Sequence, residues 1–117
     1  MNYKQGDIIL VWFPDSNLIT AKKRPTIVLQ ADNLQTGLEQ LIIAMITSNL
    51  TRKEHPSRIF VDMHSIIGQQ TGLIGDSIIM TDNIATVRIS EIYRKIGIFE
   101  ELNILKVAIK HTFGIKR

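Results

Sequence analysis

Three adjacent cations run directly into an apolar segment at residues 22–30, Lys22-Lys23-Arg24-Pro25-Thr26-Ile27-Val28-Leu29-Gln30. Pro25 fixes its own φ and lacks an N–H, and it biases the backbone of Arg24 towards an extended conformation. The β-branched residues that follow the proline favour a strand. The pattern therefore predicts a charged loop that enters a strand at Pro25, with Arg24 at the junction.

A second apolar run, Leu41–Ile46, follows later in the chain and ends in Thr47-Ser48-Asn49. Its length and its β-branched residues predict another strand. If the two strands share a sheet, Arg24 and Thr47 face one cleft. This pairing is the first indication of a functional site.

The composition limits the class of protein. The chain has 117 residues and no Pro/Gly/Ser-rich linker, so we expect one domain over residues 1–117. The absence of cysteine excludes disulfides, thiolate nucleophiles and cysteine-type zinc sites. The sequence begins without an apolar signal core and has no run of about 18 apolar residues, which favours a cytoplasmic protein with no membrane partner.

The charge is mildly basic and unevenly distributed. Fourteen Lys and Arg residues stand against eleven Asp and Glu residues, for a net charge of +3. The cations cluster at residues 22–24, at residues 52–53 and in the last twelve residues. Such clusters are compatible with a nucleic-acid partner, either RNA or DNA.

Short apolar runs alternate with polar connections along most of the chain. The segments 14–23 and 64–75 are predicted to be long loops, and Asp82-Asn83 is predicted to end a strand. Leu102, Leu105 and Ile109 predict a helix over Glu100–Phe113 that ends at Gly114. We therefore predict a mostly β fold, a small antiparallel and partly closed barrel with a C-terminal helix. Its predicted strands are Ile8–Phe13, Pro25–Gln30, Leu41–Ile46, Arg58–Met63, Asp76–Thr81, Ala85–Ile89 and Arg94–Ile98.

The order and spacing of several short motifs resemble the PemK/MazF family of toxin endoribonucleases. The resemblance implies an SH3-like barrel of the PemK and CcdB type, and a homodimer. It also implies metal-independent and cofactor-independent cleavage of single-stranded mRNA, and a cognate antitoxin protein that blocks the RNA groove. The motifs are Gly6-Asp7-Ile8-Ile9-Leu10-Val11, Lys23-Arg24-Pro25-Thr26-Ile27-Val28-Leu29, Ile46-Thr47-Ser48, Thr71-Gly72-Leu73, Asp76-Ser77-Ile78 and Ile84-Ala85-Thr86-Val87.

The resemblance also implies roles for individual residues. The family's catalytic arginine before proline falls on Arg24, its threonine on Thr47, and an acidic residue of several members on Asp82. Two positions depart from the family pattern. Residues 17–21 carry none of the usual Gly-Ser-Glu-Gln type segment, and Ala85 stands where many members have an arginine.

The chemistry of RNA cleavage through the 2′-OH suits these residue types. Arg24 presents a planar fork of N–H donors that can grip two phosphate oxygens as negative charge develops. The hydroxyl of Thr47 can donate to another oxygen of the phosphate. Asp82 is either the general base or a residue that orients Arg24, and protonation of the leaving oxygen is a further possible task for Arg24.

A set of polar and basic residues around these positions is expected to contact the RNA. The three histidines match no metal-ligand spacing, so we expect no metal site. The predicted RNA-binding residues are Lys22, Lys23, Ser48, Asn49 and Arg52.

Two other functions fit the same predicted fold. The first is a non-enzymatic toxin that poisons a protein target such as a topoisomerase. The second is a degenerate SH3-like module that binds RNA or protein without cutting. The departures at residues 17–21 and Ala85 favour the second alternative. RNA turnover by the purified chain separates the endoribonuclease from both alternatives, and growth arrest without turnover separates the first alternative from the second.

Overall fold

Six strands and two helices are present in a computed structural model that describes residues 2–116. Met1 and Arg117, the two ends of the predicted domain, lie outside the described residues. A single 3-10 turn, Ile89–Glu91, separates the last two strands. The strands are β1 (Asp7–Pro14), β2 (Ala21–Val28), β3 (Gln40–Thr47), β4 (Arg58–Val61), β5 (Ser77–Arg88) and β6 (Ile92–Ile98), and the helices are α1 (Ile66–Gln70) and α2 (Leu102–Phe113).

All six strands belong to one sheet, in the order β4-β5-β3-β2-β1-β6, and every neighbouring pair is antiparallel. The predicted mostly β, antiparallel fold with a C-terminal helix is therefore confirmed. No pairing between β4 and β6 closes the sheet. The connection after α1 instead packs against β6, where a Cβ added to Gly72 or Gly97 would collide with the backbone of Ile96 or Thr71 respectively.

The sheet carries a buried core on each face, because both alternating residue sets of strand β1 are largely apolar. Ile8 of β1 joins Ile27 and Leu105 in a first core beneath helix α2. Its neighbour Ile9 points the other way and joins a second core with Val28. Because successive side chains of a strand alternate between faces, β1 can supply both cores at once.

The three cations at residues 22–24 lie inside strand β2, so the prediction of a charged loop there was wrong. Arg24 pairs with Val11, and Lys23 pairs with Trp12. Backbone pairing with β1 keeps this segment extended although its side chains are exposed, because ladder hydrogen bonds do not require apolar side chains. The loop between β1 and β2 covers only residues 15–20. A hydrogen bond of 2.8 Å from the Asp15 N–H to the Thr20 carbonyl closes it.

Strand β5 runs through Asp82-Asn83, so the predicted break at this position was also wrong. Met80 pairs with Met45, whereas Ile84 pairs with Ala44. The three residues between Met80 and Ile84 thus form a bulge that absorbs the turn-forming pair without ending the strand. Asp82 consequently lies on a bulge beside β4 instead of in a turn.

The predicted C-terminal helix is confirmed, and it begins two residues after the predicted start. Glu101 at its N-cap makes no side-chain capping bond, and Gly114 ends it in the left-handed conformation with φ of 69°. The short helix α1 lies inside the segment predicted to be a loop. No helix within residues 2–116 is long and apolar enough to cross a membrane.

Candidate functional site

Strands β2 and β3 bring the two key predicted residues to one face of the sheet. Their register pairs Thr26 with Met45 and Ile27 with Ala44. Continued by two residues beyond the last pair, this register sets Arg24 opposite Thr47. Residues directly opposite in antiparallel strands point to the same face, so both side chains lie on the face of the second core.

Arg24 projects from β2 with a partner in the adjacent hairpin loop. Its side chain is 46% exposed, and its Nη2 lies 3.7 Å from Oδ1 of Asp15. The other carboxylate oxygen of Asp15 accepts a hydrogen bond of 2.6 Å from the Thr20 hydroxyl. The loop therefore anchors Asp15 and leaves Arg24 held at the distance of a loose ion pair. Sequence reasoning did not identify Asp15, because its position opposite Thr20 depends on where the hairpin turns.

A cleft of about 280 Å³ opens beside Thr47, and we call it the Thr47 cleft. It brings together three residues that the sequence had singled out, Thr47, Asn49 and Arg52. Its full lining is Thr47, Asn49, Thr51, Arg52, Arg58 and Met80.

Hydrogen bonds within the segment after β3 set the shape of this cleft. The hydroxyl oxygen of Thr47 accepts a bond of 3.1 Å from the Asn49 N–H. The side-chain oxygen of Asn49 accepts bonds from the N–H and the hydroxyl of Thr51, at 3.0 and 2.6 Å. Because the Thr47 oxygen acts as an acceptor in this turn, its hydroxyl hydrogen remains able to donate into the cleft.

Arg58 of β4 is a functional candidate that the sequence analysis missed. Its Nε donates to Oδ1 of Asp82 at 2.8 Å, and its Nη2 donates to Oδ2 at 3.2 Å. The hydrogen bond and the charge of the Arg58 guanidinium hold the pKa of the Asp82 carboxyl below its usual value. The carboxylate of Asp82 thus contacts Arg58, whereas Arg24 contacts Asp15.

The predicted RNA-binding lysines are divided between the two faces of β2. Lys22 is two residues from Arg24 and shares its face, whereas Lys23 lies on the opposite face. The ammonium of Lys23 sits 4.1 Å from the ring centroid of Tyr93 and 5.6 Å from that of Trp12. Ser48 is exposed at the end of β3, beside the Thr47 cleft lining.

One group of possible metal ligands lies outside this cleft. Single ligand atoms of Asp62, His64 and Asp76 fall within 4.8 Å of one another. Both carboxylates already serve the turn after β4, because Asp62 accepts from the His64 N–H at 2.8 Å and Asp76 accepts from the Met63 N–H at 2.9 Å. None of the three residues lines the Thr47 cleft.

Several solved structures share this fold over nearly the whole chain. The Mycobacterium tuberculosis toxin MazF-mt6 superposes with a TM-score of 0.72 at 22% identity, covering 95% of this chain and 99% of that one. A mycobacterial endoribonuclease in complex with its cognate antitoxin gives 0.73 at 16% identity, covering 98% of both chains. MazE-MazF from Deinococcus radiodurans gives 0.72 at 13% identity, covering 99% of this chain and 100% of that one.

Sequence comparison identifies the family. No curated protein matches the chain in sequence. Residues 4–110 match the family model described as the PemK-like, MazF-like toxin of type II toxin-antitoxin systems. The match spans every strand and almost all of helix α2, so it covers both the fold and the Thr47 cleft. The chain therefore belongs to the PemK-like and MazF-like toxins of type II toxin-antitoxin systems.

Proposed function

We propose that this chain is a metal-independent endoribonuclease that cleaves single-stranded mRNA by attack of a 2′-OH on the adjacent phosphate. The observation that carries the proposal is the register that sets Arg24 opposite Thr47 on one face, beside a cleft rich in polar and cationic groups. Arg24 is exposed and only loosely paired, so it can meet an anionic ligand.

The reaction needs stabilisation of the charge that builds up on phosphorus. The O2′–P bond forms as the P–O5′ bond breaks, which gives a 2′,3′-cyclic phosphate and a 5′-OH without consuming water. Arg24 grips two non-bridging oxygens, and the Thr47 hydroxyl donates to one of them. A single well-placed donor of this kind is worth about 3 kcal/mol in the transition state.

The two proton transfers follow from the contact between Arg24 and Asp15. In this proposal the Asp15 carboxylate accepts the 2′-OH proton, because among the described residues it is the carboxylate that contacts Arg24. Arg24 gives a proton to the leaving 5′-oxygen and regains one from Asp15, so the pair returns to its starting state. We assign Asp82 no proton transfer, since it pairs with Arg58 and not with Arg24.

The RNA path follows the remaining predicted residues. Lys22 lies on the face of Arg24, and Ser48, Asn49 and Arg52 extend the same surface past Thr47. Lys and Arg neutralise backbone phosphates without reading sequence, whereas Ser48 and Asn49 can hydrogen-bond to base edges. Lys23 lies on the opposite face of β2, so it contacts RNA only where the RNA strand bends around the hairpin formed by β1 and β2.

We further propose a cytoplasmic homodimer that is neutralised by a cognate antitoxin. One structural relative is an endoribonuclease bound to its cognate antitoxin, and another is a MazE-MazF complex. An mRNA substrate requires a cytoplasmic location. A groove of about 450 Å³ that includes Ile84, Ile109 and Phe113 provides apolar surface suited to association.

The decisive experiment is cleavage of mixed single-stranded RNA by the purified protein in EDTA, with both product ends identified. We expect 2′,3′-cyclic phosphate and 5′-OH ends from the parent and cleavage about 10³-fold slower from Arg24→Ala. Arg94→Ala, which removes an exposed arginine of β6 outside the cleft, is the matched control and should cut like the parent.

Each of the other outcomes identifies a different function. Growth arrest without RNA cleavage would indicate a non-enzymatic toxin. RNA binding without turnover would indicate a degenerate binding module. Equal cleavage by the parent and Arg24→Ala would overturn the assignment of the site.

A further inference from the structure

We propose that Arg58 forms a second phosphate subsite in the Thr47 cleft, positioned by Asp82, and that it binds a second backbone phosphate of the single-stranded RNA that is cut. The inference rests on the proposed function and deepens it, because it names where a non-reacting part of the substrate is held.

Arg58 has N–H donors left for a ligand. A guanidinium carries five N–H donors, and the two bonds to Asp82 use one on Nε and one on Nη2. Three N–H groups remain, including the fork formed by Nη1 and Nη2. That fork matches two oxygens of a phosphate, so Arg58 can bind an anion while Asp82 still holds it.

The Thr47 cleft carries a net positive charge. Arg52 and Arg58 both line it, and its lining contains no carboxylate. Asp82 offsets one of these two charges from outside the lining, which leaves a net positive site among the neutral groups Asn49 and Thr51. The side chain of Arg58 is only 17% exposed. Partial removal from water strengthens its interaction with a bound anion.

Arg58 and Arg24 lie apart on the same face of the sheet. Arg58 pairs with Met80, Met80 with Met45, and Met45 with Thr26, two residues from Arg24 on the same face. Three strand spacings of about 4.8 Å therefore separate β4 from β2. Arg24 pairs with Asp15 at one end of this span and Arg58 with Asp82 at the other. Each guanidinium is thus held at its own end, and in this proposal Arg58 binds a different phosphate of the same strand.

Asp82 has the properties of a positioning residue. The guanidinium lowers its pKa, so the carboxylate stays ionised at neutral pH and fixes the guanidinium plane through two bonds. The bulge at residues 81–83 of β5 gives the carboxylate its place beside β4. Asp82 thus acts on RNA through Arg58, without touching the reacting atoms.

The test measures binding of a mixed-sequence, 2′-O-methylated single-stranded RNA oligonucleotide, which cannot be cut, across a range of salt concentrations. Removal of one phosphate contact should reduce the slope of log K against log [salt] by about 0.7. We expect this reduction for Arg58→Met and the parental slope for Arg94→Met, a matched control with the same change in charge outside the cleft. Asp82→Asn should keep the slope, because the Arg58 charge remains, and should weaken binding several-fold.

Cleavage of unmodified RNA provides the second readout. Because the subsite holds substrate and transition state alike, Arg58→Met should raise KM about ten-fold and leave kcat near the parental value. If Arg58→Met does not fold, Arg58→Met combined with Asp82→Asn removes the orphaned carboxylate and carries the same test.

The outcomes separate this inference from the proposed function. A parental slope and a parental KM for the Arg58 variants, in a protein that cuts RNA, would overturn the subsite alone. A parent that neither binds the oligonucleotide nor cuts RNA would overturn both.

Discussion

The two arginines of the candidate site are held in opposite ways. Arg24 is 46% exposed and sits 3.7 Å from the carboxylate of Asp15, whereas Arg58 is 17% exposed and makes two bonds to Asp82, at 2.8 and 3.2 Å. A loosely paired guanidinium can follow charge as it develops in a reaction. A tightly paired one presents a fixed surface. The contrast separates a group suited to chemistry from a group suited to holding substrate.

Removal of Arg24 should have the largest effect. Arg24→Ala loses the transition-state contacts of the fork, and we expect kcat to fall about 10³-fold. Single-turnover cleavage measures this change. Arg24→Lys keeps the charge without the fork, and its kcat should lie between those of the parent and Arg24→Ala. In both variants the free energy of unfolding should stay within about 0.5 kcal/mol of the parental value, because the side chain is exposed. A kcat of Arg24→Lys equal to that of the parent would show that the fork geometry has no role.

Removal of the Thr47 hydroxyl should have the next largest effect. Thr47→Val preserves shape and deletes the donor, and we expect a fall in kcat of about 10²-fold. Thr47→Ser retains the hydroxyl and serves as the control, with a kcat within a few-fold of the parent. Equal losses in both variants would point to altered packing of β3 in place of a lost hydrogen bond.

Removal of the Asp15 charge tests the role of the loose ion pair between Arg24 and Asp15. Asp15→Asn keeps an acceptor for the Thr20 hydroxyl and removes the charge next to Arg24. We expect kcat, measured by single-turnover cleavage, to fall about 10²-fold, because the group that accepts the 2′-OH proton is lost. A kcat equal to that of the parent would contradict the role of Asp15 as proton acceptor.

The tight pair predicts a small effect on stability that depends on pH. The pKa of Asp82 is lowered in the folded protein, so the pair stabilises the fold above the unfolded pKa of about 4 and loses this contribution as the pH falls through the lowered value. Because the pair is partly exposed, we expect Asp82→Asn to reduce the free energy of unfolding at pH 7 by at most about 1 kcal/mol. Chemical denaturation at pH 7 and pH 2.5 should show the difference shrink towards zero. A difference between the two proteins that is the same at both pH values would show that the substitution acts through packing.

The positions of Arg24 and Thr47 were largely predictable from local sequence. Pro25 next to Arg24 and the strand end at Thr47 are visible in short segments, and two neighbouring strands suffice to bring the two residues opposite each other. The assignment of residues 22–24 to a loop failed because pairing with β1 imposes extended backbone on exposed cations. Tertiary pairing overrides local composition in such segments.

The tight pair was not predictable in the same way. Arg58 and Asp82 are 24 residues apart in sequence. Their contact depends on the bulge that carries Asp82 out of the regular ladder, and local composition at Asp82-Asn83 is typical of a turn. The face of Lys23 likewise required the register of β1 and β2, because a shift of one residue exchanges the faces of a strand.

The packing of Gly72 and Gly97 against the opposing backbone also restricts how other chains can approach. Because the backbone of Thr71 and Gly72 approaches β6 so closely, it takes up space that a foreign strand would need at Ile96 and Gly97. This protection of a free edge disfavours polymerisation through strand addition at that point. It also requires an inhibitor to act there by covering a face of the toxin instead of by lengthening its sheet.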